Sequence, residues 1–223
     1  MRYTLLKERV CRINQEIVKA GLARLTFGNA SGAADGVMAI KPSGVDYAAL
    51  TPDDIVILDI ATGKILEGVK HPSSDTPTHR YLYRKFSGIG GIVHTHSLHA
   101  TSWAQAGRPL PCYGTTHADH FHGAVPVTRA LTQREIARDY EWNTGKVIVE
   151  TCRQPHEIPA VLVSGHAPFV WGATPEKALE NAIALEVVAQ MALLHRPAKP
   201  IAQALLDKHF FRKHGPRASY GQR

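Results

Sequence analysis

Gly90-Gly91-Ile92-Val93-His94-Thr95-His96 runs from two glycines through a β-branched pair into two imidazoles spaced by one residue. The apolar run predicts a buried strand. Residues i and i+2 of a strand share a face, so His94 and His96 would converge on one side of it. Zinc accepts imidazole nitrogen, and a catalytic zinc takes three protein ligands and keeps a position open. The same spacing also suits two surface histidines at a strand end, in a chain with 13 of them.

A third ligand is sought at another strand end. Val161-Leu162-Val163-Ser164-Gly165-His166 supplies a strand, a glycine that lets the backbone turn, and a histidine. His99, just after the first strand, and His117, His120 and His122 in one loop are the other candidates. His166 reads equally well as a plain core or surface histidine.

Outward from this centre, the 4-3-4 spacing of Leu6, Val10, Ile13 and Ile17 predicts a first helix that stops at Gly21. Strands are expected around 25–27, 37–40, 55–60, 147–151 and 160–163, separated by turns rich in Gly, Pro and Asp. Ser73-Ser74-Asp75-Thr76-Pro77 reads as a helix start, the helix running to about Phe86. Thr132-Gln133-Arg134-Glu135 is a capping box before a short helix. Thr174-Pro175 opens a long helix with Leu179, Ile183, Val187, Met191 and Leu194 expected on its buried face. Four or five helices interleaved with short strands predict a mixed sheet covered by helices, much of it antiparallel.

The bulk numbers bound the rest. With 223 residues, 44% of them apolar and 20% charged, one well-buried domain over 1–223 is expected and disorder as the main state is excluded. A formal charge of +7 suits an anionic partner, and much of the excess sits in the last 25 residues. Cys11, Cys112 and Cys152 are far apart and lack a Cys-x-x-Cys pair, which fits a reducing cytoplasm. The first 19 residues are charged, without the apolar core of a signal peptide, and the most apolar stretch, 182–194, is too short to span a bilayer.

Three turns, 26–32, Lys41-Pro42-Ser43-Gly44 and Ser73-Ser74, combine Gly, Ser and Asn with exposed N–H groups. That is the composition of an anion cradle, best where Ser73-Ser74 meets a helix N-terminus, and equally of self-capped surface turns. Asp75, Asp119 and Glu141 are the carboxylates able to move protons, although composition reads Asp75 first as a helix cap. The tail, LLDKHFFRKHGPRASYGQR, interleaves basic and aromatic residues. It reads as a nucleic-acid arm, a loose terminus or a docking segment that delivers His209, Arg212 and Tyr220 to a site.

The segments TFGNASG, IKPSGVDY, HPSSDTPTHRYLY, GGIVHTHSLHATSWAQAG, GTTHADHFHG, YEWNTGKVIVET, VLVSGHAPFVWG and LLDKHFFRKHG, in this order, cover nearly the whole chain. Together they resemble the class II aldolase/epimerase family, its pentulose-phosphate epimerase branch in particular. The resemblance implies an α/β fold of three layers, α/β/α, around a central, largely antiparallel mixed sheet. It implies a divalent metal, Zn2+ or alternatively Mn2+ or Co2+, held by His94, His96 and His166, with Asp75 as a further ligand or an acid/base. Asn29, Lys41, Ser43, Gly44, Ser73 and Ser74 would bind the substrate phosphate. Asp119 and Tyr220 would act as acid and base, Tyr220 coming from the tail (about 205–223) of a neighbouring subunit in a homotetramer. Thr115, Glu141, His209 and Arg212 match further site positions.

The implied reaction is the C4 epimerisation of L-ribulose 5-phosphate to D-xylulose 5-phosphate by breaking and re-forming C3–C4. Aldol cleavage of a ketose phosphate, epimerisation of a related pentulose phosphate and an adducin-like interaction domain are the alternatives. The resemblance leaves no part for nucleic acid or membrane. The departures from the family pattern are the histidines of His120-Phe121-His122, where relatives often carry tyrosine, and a short segment over 151–159.

Overall fold

The computed structural model describes residues 3–194, 199–216 and 218–220. The chain runs α1 (Thr4–Lys19), β1 (Asn29–Ala34), β2 (Val37–Ile40), β3 (Val56–Asp59), β4 (Ile65–Glu67), α2 (Thr76–Lys85), β5 (Gly91–His94), α3 (Leu98–Gln105), α4 (Thr115–Ala118), α5 (Gln133–Ala137), α6 (Tyr140–Thr151), β6 (Ala160–Leu162), β7 (Pro168–Gly172), α7 (Pro175–Leu194) and α8 (Gln203–Lys213). The strands form one sheet in the order β4-β3-β2-β1-β5-β7-β6, and each neighbouring pair is antiparallel.

Period-2 alternation splits the central strands between two cores. Val93, Val170, Ala160 and Leu162 face a cluster with Ile13 and Ile17 of α1, Ala100 of α3 and Leu185 of α7. Ile92, Phe169, Trp171 and Val161 face Leu82 of α2 and Ile148 of α6. Helices therefore cover both faces, which is the three-layer α/β/α arrangement. His94, two residues on from Ile92, belongs to the α2/α6 side.

Three glycines make the central packing possible. Gly32, Gly91 and Gly172 stand in one row across β1, β5 and β7. The first turn of α7 lies in the trough they leave. A Cβ on Gly172 would stand 2.6 Å from the Ala178 nitrogen, and one on Gly91 would overlap the Pro175 backbone. The start of α3 is held from α7: the Glu186 carboxylate accepts from the His99 and Ala100 N–H groups (2.9 and 3.0 Å) and pairs with the His99 ring. Glu186→Ala orphans these first-turn donors, so a loss of about 1–3 kcal/mol is expected in urea unfolding.

Several expected elements differ. Residues 25–27 form a turn rather than a strand, with Leu25 at φ +54, and the strand is the small-residue run NASGAA of β1. Its glycine and alanines carry little strand propensity but fit beneath α1 and α7. Residues 147–151 are helical, the end of α6, although rich in β-branched residues. Gly145 lets α6 press on Tyr81 of α2, and burial of Val147 and Ile148 outweighs propensity. On α7 only Leu179 of the expected stripe is buried. Ile183, Val187, Met191 and Leu194 are exposed, while Ala178, Ala182, Leu185 and Ala189 face the sheet. Small side chains let the helix approach closely, and their low hydrophobicity hid that face. There are eight α-helices among the described residues, more than the four or five expected. The capping box at Thr132 and Glu135 is present, and the three cysteines are free and buried.

Candidate metal centre and anion pocket

β5 ends at His94, and His96 lies two residues beyond it, in the irregular stretch before α3 rather than on the strand itself. Gly165, at φ +72, turns the chain between β6 and β7 and places His166 beside them. One nitrogen from each of His94, His96 and His166 lies within 4.8 Å of the others. The ring centroids stand 5.0 or 5.1 Å apart.

His94 is buried and stacks on Phe169 at 4.1 Å, while its Nδ1–H donates to the Pro168 carbonyl at 2.9 Å. That bond fixes the tautomer and leaves the Nε2 lone pair for a ligand. His166 Nδ1 is buried without a hydrogen-bond partner among the described residues. Burial and the neighbouring imidazoles push His166 down to about 4, and burial, then His94, lowers His96. His96 and His166 are thereby held toward the uncharged form, which is the form that binds a cation. The donor set fits a divalent metal.

Asp75 completes this cluster. It stands at the start of α2, yet its side chain makes no capping hydrogen bond, so the cap reading is corrected. The carboxylate accepts from Asn29 Nδ2 at 2.7 Å and lies 3.9 Å from His94 Nε2. Burial opposes its ionisation, but His94, His79 and the Asn29 amide hold it below the usual carboxylate range. The same amide donates to Ser73 Oγ at 3.0 Å.

A cavity of about 420 Å³ opens on these groups, lined also by Lys41, Ser43, Gly44, Ser73, Ser74 and Glu141. The Pro42–Pro72 bridge sets the 41–44 turn beside Ser73-Ser74 at the α2 N-terminus. Lys41 is buried; its ammonium donates to the Pro42 carbonyl at 3.3 Å and lies 4.7 Å over the Tyr47 ring. Burial pushes it below the usual lysine range. A buried cation with only the Pro42 carbonyl, the Tyr47 ring and the charge of Asp46 to offset its burial, set among hydroxyls and a helix N-terminus, attracts an anion.

Thr115, Asp119, His209, Arg212 and Tyr220 do not line this cavity. Within the chain, Asp119 gathers Arg212 (3.0 Å), His209 (3.0 Å) and Lys213 (3.2 Å), and Tyr220 lies over Lys213 at 4.4 Å. Thr115 opens α4, which ends next to Asp119. His99 is taken by Glu186, and the His117 ring pairs with the Gly123 carbonyl.

Sequence reasoning missed Tyr140, which lines the cavity with its ring 6.4 Å from His166, and Tyr47, whose hydroxyl donates to the Phe27 and Gly28 carbonyls. Both lie inside quoted segments, but neither carries a charge or a ligand spacing that would single it out.

The sequence pattern of the "Class II Aldolase and Adducin N-terminal domain" matches residues 8–193. Among solved structures, an L-fuculose 1-phosphate aldolase superposes with a TM-score of 0.78 at 24% identity, covering 92% of this chain and 94% of that one. The L-fuculose-1-phosphate aldolase of Thermus thermophilus gives 0.69 at 27% identity, covering 88% and 97%. A sugar-phosphate aldolase of Thermotoga maritima gives 0.70 at 18%, covering 88% and 99%. Among the described residues, no helix is long and apolar enough to cross a membrane.

Proposed function

Because the chain belongs to the class II aldolase and adducin N-terminal domain family, we propose that it is a metal-dependent enzyme converting L-ribulose 5-phosphate into D-xylulose 5-phosphate by breaking and re-forming the C3–C4 bond. The observation that carries this reading is the cavity that joins three convergent imidazoles, the Asp75 carboxylate and a buried lysine.

Direct deprotonation at C4 is unfavourable, because that hydrogen is not next to the ketone. A retro-aldol step avoids it. A divalent metal on His94, His96 and His166, Zn2+ in first place, would supply Lewis-acid polarisation of the ketose oxygens. Lys41, Ser43, Gly44, Ser73, Ser74 and Asn29 bind the phosphate and keep the aldehyde fragment in the cavity while its carbonyl turns. Asp75, beside His94, takes or returns a hydroxyl proton. A second acid/base is needed for the other aldehyde face, and Asp119 and Tyr220 are proposed for it. Neither lines this cavity within one chain, so the proposal includes a homotetramer in which the tail of a neighbouring subunit brings Tyr220 to pair with Asp119. Glu141, Thr115, His209 and Arg212 then stand around the completed site of a cytoplasmic enzyme.

The relatives named aldolases favour net cleavage as the second reading, whereas Asp75, where aldolases of the family carry glutamate, favours the epimerase. Incubation of zinc-loaded protein with L-ribulose 5-phosphate is expected to yield D-xylulose 5-phosphate. Accumulation of dihydroxyacetone and glycolaldehyde phosphate would instead identify an aldolase. Asp75→Asn is expected to cut turnover about 100-fold, measured by the same product analysis.

A further inference from the structure

His122 lies outside the metal cavity, and carboxylates hold both of its ring nitrogens. Nδ1 is 2.8 Å from Glu157 Oε2 and Nε2 is 2.7 Å from Asp207 Oδ1. A neutral imidazole has one N–H and one lone pair, so only the imidazolium donates to both. Glu157 belongs to the loop before β6, and that side is doubled by the His122 N–H donating to the Glu157 carbonyl at 2.9 Å. Asp207 belongs to α8. The ring also stacks on Phe210 of α8 at 4.7 Å and meets Phe211 at 5.0 Å. Only Leu206 and Phe210 of that helix are buried, so polar contacts carry much of its docking.

We propose that His122 is a positioning residue, a proton-operated latch that holds α8, and with it His209, Arg212 and Tyr220, against the domain. Its consequence for turnover rests on the proposed role of the tail; the latch itself does not.

The charges around the ring support it. Glu157 faces it from the loop, and Asp207 from α8 shares its Oδ1 with the Gln203 amide at 2.7 Å. On the ring's own segment, Asp119 is already engaged by His209, Arg212 and Lys213. The nearby His117 and His120 rings are pushed toward neutral by burial. Burial also opposes the charge on His122, but Glu157 and Asp207 outweigh it and raise this histidine above its usual range. A raised folded value means that the latch is fully closed below the unfolded value of about 6.5. It opens as pH climbs through the folded one. Loss of the proton sets a nitrogen lone pair against a carboxylate.

Amide hydrogen exchange on the full-length protein, corrected for intrinsic rates, reads the latch without substrate. Between about pH 6 and about pH 9, protection of residues 203–213 is expected to fall roughly three- to tenfold relative to α1. In His122→Gln that dependence should vanish, with protection low throughout. Asp207→Asn frees only the α8 arm, and should lower protection at the acid end. A pH dependence that survives in His122→Gln, unchanged protection in Asp207→Asn, or a His122 ring that titrates at or below about 6.5 by NMR would each overturn the latch. An inactive protein with a working latch would refute only the proposed reaction.

Discussion

His94→Asn is expected to strip the protein of the proposed metal and to lower turnover by at least about a thousandfold, the cost of losing a Lewis acid from the proposed retro-aldol chemistry. His94 is the buried member of the triad, stacked on Phe169 and oriented by the Pro168 carbonyl. Asparagine reaches neither the other two imidazoles nor that carbonyl with the same atoms. Elemental analysis should find metal content falling from about one per chain toward zero after dialysis. His96→Asn, at the exposed rim, is expected to lose metal less completely. Retention of full metal content by His94→Asn would remove this residue from the ligand set.

Gly91→Ala is expected to be the most damaging single methyl in the molecule, about 3–5 kcal/mol by urea unfolding, enough to leave little folded protein. The added carbon would overlap the Pro175 backbone and stand 2.6 Å from the Thr174 carbonyl oxygen. Backbone at a helix start cannot rotate away as a side chain does, so relief requires lifting α7 off the sheet. Gly32→Ala meets side-chain atoms, Pro175 Cγ and Val10 Cγ2, each at 2.9 Å, and should cost less because these can shift. Equal losses for the two variants would show that the helix yields as easily as a side chain.

The candidate metal centre was more legible in the sequence than the sheet around it. His94 and His96 announce themselves by spacing, and Ser73-Ser74 by its place before a helix. His166 needed the family resemblance, because a lone histidine after a glycine has no pattern of its own. β1 escaped because its alternation is between small residues, whose burial reflects the close approach of helices from distant parts of the chain. The α6 segment misled because its β-branched run meets α2, which no local signal reveals. The α7 stripe misled because the buried face is built largely of alanines with Leu179, Leu185 and Val188, while Ile183, Val187, Met191 and Leu194 stand exposed. Asp75 shows the converse: composition favoured a cap, and the Asn29 amide, 46 positions away, draws it into the cavity instead.

The register between β5 and β7 pairs His94 with Phe169, three residues after His166. The strand that carries one proposed ligand is thus hung from the same ladder as the other. Adding one residue between His166 and Phe169 would turn β7 over and carry Phe169 and Trp171 from one core to the other, besides displacing the imidazole. The short loop after α6 lies outside that ladder and is held by separate bonds, from Trp171 to the Pro155 and Pro159 carbonyls and from His122 to Glu157. A change of length before β6 shifts those contacts without turning a strand over, whereas one across its turn into β7 reverses a strand, so lineages of this protein should vary more in the first than in the second.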